Sequence, residues 1–103
     1  MAYNNSEGVI SMMYPYMTLS DGTEIVHSQI LQNNGQKTVE VHFERPIRDG
    51  FDSARCSLPS YEWLIRDGYS DKEIKAFEQM LKSGAHLFFK YAETGGAAIA
   101  KAV

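Results

Sequence analysis

Asp21-Gly22-Thr23-Glu24-Ile25-Val26-His27-Ser28-Gln29-Ile30-Leu31-Gln32-Asn33-Asn34-Gly35, running on through Gln36 to Arg45, is the stretch that decides the fold. Asp-Gly and Asn-Gly supply the positive φ that a type I′ hairpin turn requires, so each dipeptide marks a chain reversal. Two reversals bracketing Thr23 to Gln32 predict a three-stranded antiparallel meander. With Asn34-Gly35 as the loop, the register can be counted. Asn33 faces Gln36, Leu31 faces Thr38, His27 faces His42, Val26 faces Phe43 and Glu24 faces Arg45. One side then carries Val26, Ile30, Val39, Val41 and Phe43, a core face. The other carries His27, Gln29, Glu40, His42 and Glu44, broken by Ile25 and Leu31. The alternation Val39-Glu40-Val41-His42-Phe43-Glu44 is that of a half-buried strand.

Outward from the meander, residues 1–8 are small and polar and read as a disordered tail. Val9 to Met17 is apolar but contains Pro15, which suits an edge strand. Pro46 and Arg48-Asp49-Gly50 end the third meander strand, and Phe51 to Leu58 follows as a strand with Ala54, Cys56 and Leu58 inward. Tyr61 to Asp67 reads as a short helix with Tyr61, Leu64 and Ile65 on one face. Ser70-Asp71-Lys72-Glu73 has the spacing of a capping box, opening a second helix over Asp71 to Ser83. Its stripe is Ile74, Phe77, Met80 and Leu81, with Asp71–Lys75 and Glu78–Lys82 as surface pairs. Gly84 ends it, and His86 to Ala92 alternates as a returning strand. Residues 95–103 form a weakly structured tail. The expected fold is α+β, order β-β-β-β-α-α-β. An antiparallel meander of four to five strands carries two helices on one face, in a single domain over residues 9–94.

Composition bounds the function classes. In 103 residues, 44% hydrophobic and 22% charged content is ordinary for a folded domain, and the net charge of −3 argues against a direct nucleic-acid binder. No apolar run reaches the ~20 residues that span a bilayer. Asn4, Asn5 and Glu7 stand where a signal peptide would be basic and then apolar. The single cysteine, Cys56, excludes an internal disulfide. A reducing cytoplasm is the expected compartment.

Three groups could carry chemistry. His27 and His42, if paired across the hairpin, would place their Cβ atoms ~4.5–5.5 Å apart, within reach of one divalent metal. No Cys-x-x-Cys or His-Glu-x-x-His spacing supports them, and a solvated histidine pair explains them equally. Cys56 could be a thiol nucleophile, but it shares a face with Ala54 and Leu58 and reads as a small core residue. Between Glu40 and Glu73 there are eight acids against five bases. Glu62, Asp67, Asp71 and Glu73, near the two expected helix starts, would form an acidic rim around Trp63, a residue type favoured as an interface anchor. Glu40 and Glu44, on the polar side of the meander, are the alternative contact. No cofactor is expected.

The stretches His42-Phe43-Glu44-Arg45-Pro46, Phe51-Asp52-Ser53-Ala54-Arg55-Cys56 and Leu58-Pro59-Ser60-Tyr61-Glu62-Trp63 resemble small proteins carried on mobile elements of gut bacteria. In length and character the whole chain resembles the small anti-CRISPR proteins that inhibit the type II RNA-guided DNA nuclease. That resemblance implies a non-enzymatic inhibitor that binds the nuclease or its guide-loaded complex, with the acidic middle of the chain as the contact. A monomer or weak homodimer is expected, with no direct contact to nucleic acid and none to membrane. Two further classes remain: an antitoxin-like regulatory dimer joined through the edge near Val9 to Met17, and a small enzyme using His27, His42 or Cys56.

Overall fold

The computed structural model describes residues 2–4 and 10–96, with side chains from Met12 onward. Its strands are β1 (Ala2–Asn4), β2 (Ile10–Thr18), β3 (Glu24–Ser28), β4 (Leu31–Asn33), β5 (Gln36–Ile47), β6 (Gly50–Leu58) and β7 (Glu62–Asp67), followed by the helix α1 (Asp71–Thr94). The strands form one antiparallel sheet in the order β1-β2-β3-β5-β6-β7, with short β4 also paired to β5. The α+β class stands; the order and the helix count do not. Ala2–Asn4, inside the segment read as a tail, pairs with β2. The rest of residues 1–8 and residues 97–103 lie outside the described residues.

Both turns reverse the chain. Asn34 (φ 52°) and Gly35 (φ 80°) sit in the left-handed region between Asn33 and its partner Gln36. The Asp21-Gly22 reversal is a three-residue loop rather than a two-residue one. Leu19 N–H donates to the Thr23 carbonyl (2.8 Å), only Gly22 has positive φ, and Asp21 Oδ1 accepts from Thr23 N–H (2.9 Å).

The register counted from Asn34-Gly35 holds through β4 and then slips by one. Leu31 faces Thr38, but His27 faces Val41 and Val26 faces His42. Gln29 and Ile30 together span the place of one residue, a bulge. A one-residue shift exchanges the two faces of a strand. Ile25 and His27 therefore join Val39, Val41 and Phe43 beneath the helix, while Val26 turns to the opposite face beside His42. The core is Ile25, Val39, Val41, Phe43, Ala54, Cys56 and Leu58 against Ile74, Phe77, Leu81, Phe88 and Ala92 of α1, with Phe43 stacked on Phe77 at 4.2 Å.

Two elements are corrected. Tyr61 to Asp67 is not a helix: Tyr61 turns the chain at φ 61° and the segment pairs with β6. Without that pairing, β6 would leave a row of backbone donors and acceptors unmet. The second helix does begin at the capping box, with Ser70 Oγ accepting from Glu73 N–H (3.1 Å) and Glu73 Oε1 from Ser70 N–H (2.9 Å). It runs past Gly84 to a cap at Gly95 (φ 88°), so His86 to Ala92 is helix and not strand. The buried spacing Ile74, Phe77, Leu81, Gly84, Phe88, Ala92 continues unbroken, which is why the helix does.

Gly84 is a helix-interior glycine whose added Cβ would meet the Tyr16 hydroxyl at 3.7 Å and Phe88 at 4.0 Å, ordinary contacts. Gly84→Ala is expected to raise stability by about 0.5–1 kcal/mol, by removing backbone freedom from the unfolded chain. A urea melt checks this, and a loss of stability would mean that the helix–β2 contact tolerates no added methyl group.

One side chain ties the layers together. Arg45 bonds Asp52 Oδ2 through Nε (2.9 Å) and Nη2 (2.7 Å), and its Nη1 reaches Glu73 (2.7 Å) and Asp21 (3.0 Å). Its guanidinium lies over the Tyr69 ring at 4.7 Å. The arginine first, then the Ser70 backbone, hold the Glu73 carboxyl below its ordinary pKa.

Candidate functional site

The helix covers one face of the sheet; on the other, Val26 and His42 are buried while Glu24, Pro46, Phe51 and Asp67 are exposed. Two cross-strand rows on that second face are set by the register. Val26, His42, Arg55 and Ile65 form one, and Glu24, Glu44, Ser53 and Asp67 form the next. The second row carries three carboxylates in four positions. Like charges placed opposite one another, as Glu24 and Glu44 are, destabilise a sheet, so packing and folding do not account for the pair. Ser53 Oγ donates to Glu44 Oε2. Beyond this row Pro46 faces Phe51, and Phe51 is 61% exposed.

These residues enclose a hollow. Glu24, Val26, Glu44, Pro46 and Phe51 line a volume of about 330 Å³, apolar at its base and acidic on its flanks. A second hollow of about 220 Å³, lined in part by Pro15, Met17 and Thr18, shares Glu24 and Val26 with it. Met17, Ile47 and Leu64 are large apolar side chains also exposed on the strands.

The side chains singled out in the sequence are distributed differently. Trp63 faces the helix side opposite Cys56, donates Nε1–H to Glu78 (2.8 Å) and packs at 5.9 Å from Phe43, so it closes the edge of the core. Asp71 pairs with Arg66 (2.8 Å) rather than Lys75, and Glu78 is engaged by Trp63 rather than Lys82. Glu73 is held by Arg45. Glu62 and Asp67 are exposed at opposite ends of β7. The acidic rim around a tryptophan is therefore not assembled; Glu44 and Asp67 instead share the row with Glu24. Glu40 bonds His42 Nε2 (3.0 Å) on the side away from the helix.

No family model, no curated protein and no solved structure matches the chain.

The histidine pair is broken by the bulge. His27 is fully buried under the helix and His42 lies on the opposite face, so one ion cannot bridge them. Among the described residues no group of three or more His, Cys, Asp or Glu side chains is arranged to hold a metal ion. Cys56 is fully buried, and burial, with Glu78 adding to it, pushes its thiol up to about 12. A thiol held protonated is a poor nucleophile at neutral pH. No described helix is long and apolar enough to cross a membrane.

Glu24, Pro46 and Phe51 were missed as site residues. The parity of β6 contained the signal: with Ala54, Cys56 and Leu58 inward, Phe51, Ser53 and Arg55 must point outward, which puts an aromatic ring on a polar face.

Proposed function

We propose that this protein is a non-enzymatic binding protein that engages a basic protein surface through the exposed, acidic end of the sheet face away from its helix. The observation that carries the reading is the Glu24–Glu44–Asp67 row beside exposed Phe51. An apolar floor can seat the stem of an arginine or lysine while the carboxylates meet its charged head. In such an interface the aromatic ring governs residence and the carboxylates govern encounter.

The guide-loaded type II RNA-guided nuclease is the partner to test first, because the resemblance of the chain to small anti-CRISPR proteins implies it. In that reading the protein blocks DNA cleavage by occupying an arginine-bearing groove of the nuclease. The experiment is a DNA-cleavage assay with the loaded nuclease, alongside direct binding of the two components. Wild-type protein is expected to inhibit cleavage. Glu44→Lys with Phe51→Ala is expected to weaken binding by at least about tenfold, with Glu44→Lys alone reducing the salt dependence. Cys56→Ser is expected to inhibit as wild type does. Absence of binding to the loaded nuclease removes that partner, and undiminished binding by a folded double variant moves the interface to another face.

A further inference from the structure

We propose that the outward face of α1 binds the phosphate backbone of nucleic acid. The net charge of −3 conceals how unevenly the charges are placed. Successive residues turn by about 100° in a helix, so positions 72, 75, 82, 86 and 90 fall on one side, opposite the buried stripe. Lys72, Lys75, Lys82, His86 and Lys90 occupy them, and all are exposed. From Lys72 to Lys90 the stripe is about 27 Å long, comparable to the axial rise of about eight base pairs of duplex.

The acids of the same helix neutralise it only in part. Asp71 is paired with Arg66 and Glu73 with Arg45, while Glu78, hydrogen-bonded by the Trp63 indole, keeps its charge on the flank of the stripe. Glu93 alone lies at the end of the stripe. Lys82 leans over the Tyr61 ring with its Nζ 5.9 Å from the centroid, which places its charge without consuming it in an ion pair. Between the lysines stand Ala76, Gln79 and Ser83, exposed and short or polar, so an extended polyanion can approach closely.

The same face is unsuited to lipid. Among the described residues, the exposed large apolar side chains, Met12, Met17, Ile47, Phe51 and Leu64, all belong to strands, and none lies on α1. A membrane-surface helix needs an apolar face to bury beside its basic one. Sequence-independent attraction to phosphates needs only the lysines.

The test is fluorescence anisotropy of the wild-type chain with labelled mixed-sequence DNA and RNA duplexes of about 20 base pairs, at about 50 and 200 mM KCl. Expected are dissociation constants in the micromolar range at the lower salt and a log–log salt slope of about −3 to −4, as for roughly four phosphates neutralised. Lys75→Gln/Lys90→Gln, which removes no side-chain contact described above, is expected to bind at least about tenfold more weakly and to lose about two from the slope. Its unfolding midpoint confirms that it is folded. The sheet-face variant Glu44→Lys/Phe51→Ala is expected to keep duplex binding, so this proposal and the one for the sheet face fail separately. No binding of either duplex below about 100 µM at the lower salt, or unchanged affinity in the folded lysine variant, overturns the proposal. Binding to phosphatidylserine vesicles without binding to either duplex overturns it as well.

Discussion

Gly68→Ala is expected to be among the most damaging single substitutions in the chain, costing about 2–4 kcal/mol. Gly68 has φ 93°, and a Cβ built on it would lie 2.0 Å from Asp52 Oδ1, 2.7 Å from its Cγ and 3.0 Å from its Cβ. The nearest atom could rotate away; the Asp52 Cβ cannot without moving β6. Rotation also has a consequence, because Asp52 Oδ2 holds both Nε and Nη2 of Arg45. The methyl group therefore attacks a left-handed backbone position and the ion cluster together. Urea unfolding of Gly68→Ala and Gly68→Asn separates the two. Asn tolerates the left-handed region better than Ala, so an equally large loss in both variants assigns the damage to the Asp52 contact. A loss below about 0.5 kcal/mol in the alanine variant would show that the hairpin end yields freely.

Stability is expected to fall as the pH is lowered from 7 towards 5, and His27 is the reason. Its ring is fully buried, with Tyr14, Tyr16 and Phe88 at centroid distances of 5.7, 6.5 and 5.9 Å. Nδ1–H donates to the Ser28 carbonyl (2.8 Å), and Nε2 is buried with no hydrogen-bond partner among the described residues. A second proton on Nε2 would put an unsolvated charge among aromatic rings, so burial holds the folded imidazole below its ordinary pKa. The unfolded imidazole takes up its proton near pH 6.5. Below that value the unfolded chain binds more protons than the folded one, and stability falls with a slope approaching about 1.4 kcal/mol per pH unit until the folded pKa is reached. Below about pH 4.5 Glu73 adds a loss of the same sign, since its carboxyl is held low by Arg45 and must be protonated. Urea midpoints measured between pH 7.5 and 5 for wild type and His27→Leu check the assignment. The variant is expected to lose most of the slope. An unchanged slope would place the titrating group elsewhere.

The turns, the alternation of β5, the inward residues of β6 and the capping box could all be read from the chain, because each depends on residues a few positions apart. The bulge at Gln29-Ile30 could not. Nothing in Ser28-Gln29-Ile30 distinguishes two residues spanning one position from two spanning two. That single slip moved His27 from a polar face into the core and dissolved its pairing with His42. Tyr61, Leu64 and Ile65 fit helical spacing, but Glu62 to Ile65 also suits a short strand, and the unpaired edge of β6 decided between them. Leu87, Phe89 and Tyr91 alternate only by coincidence; Phe88, between them, is the residue that is buried. A helix ending at Gly84 stops short of Lys90, so the alignment of Lys90 with Lys75 depends on the helix running on to Thr94. The sheet face away from the helix was half legible. The alternation of β5 puts Glu40 and Glu44 on it, whereas Glu24 needed the true register to reach Glu44.

Arg45 joins a hairpin loop at Asp21, a neighbouring strand at Asp52 and the first turn of the helix at Glu73. Energies of substitution at these four positions cannot add, because each acid's contribution depends on an arginine whose orientation the other two fix. Arg45→Lys illustrates the point, since an ammonium cannot reproduce the planar fork that serves three carboxylates at once. A lineage drifting from this sequence would therefore find positions 21, 45, 52 and 73 hard to change singly and easier to change together. Their covariation, rather than the identity of any one of them, would be the mark of common descent.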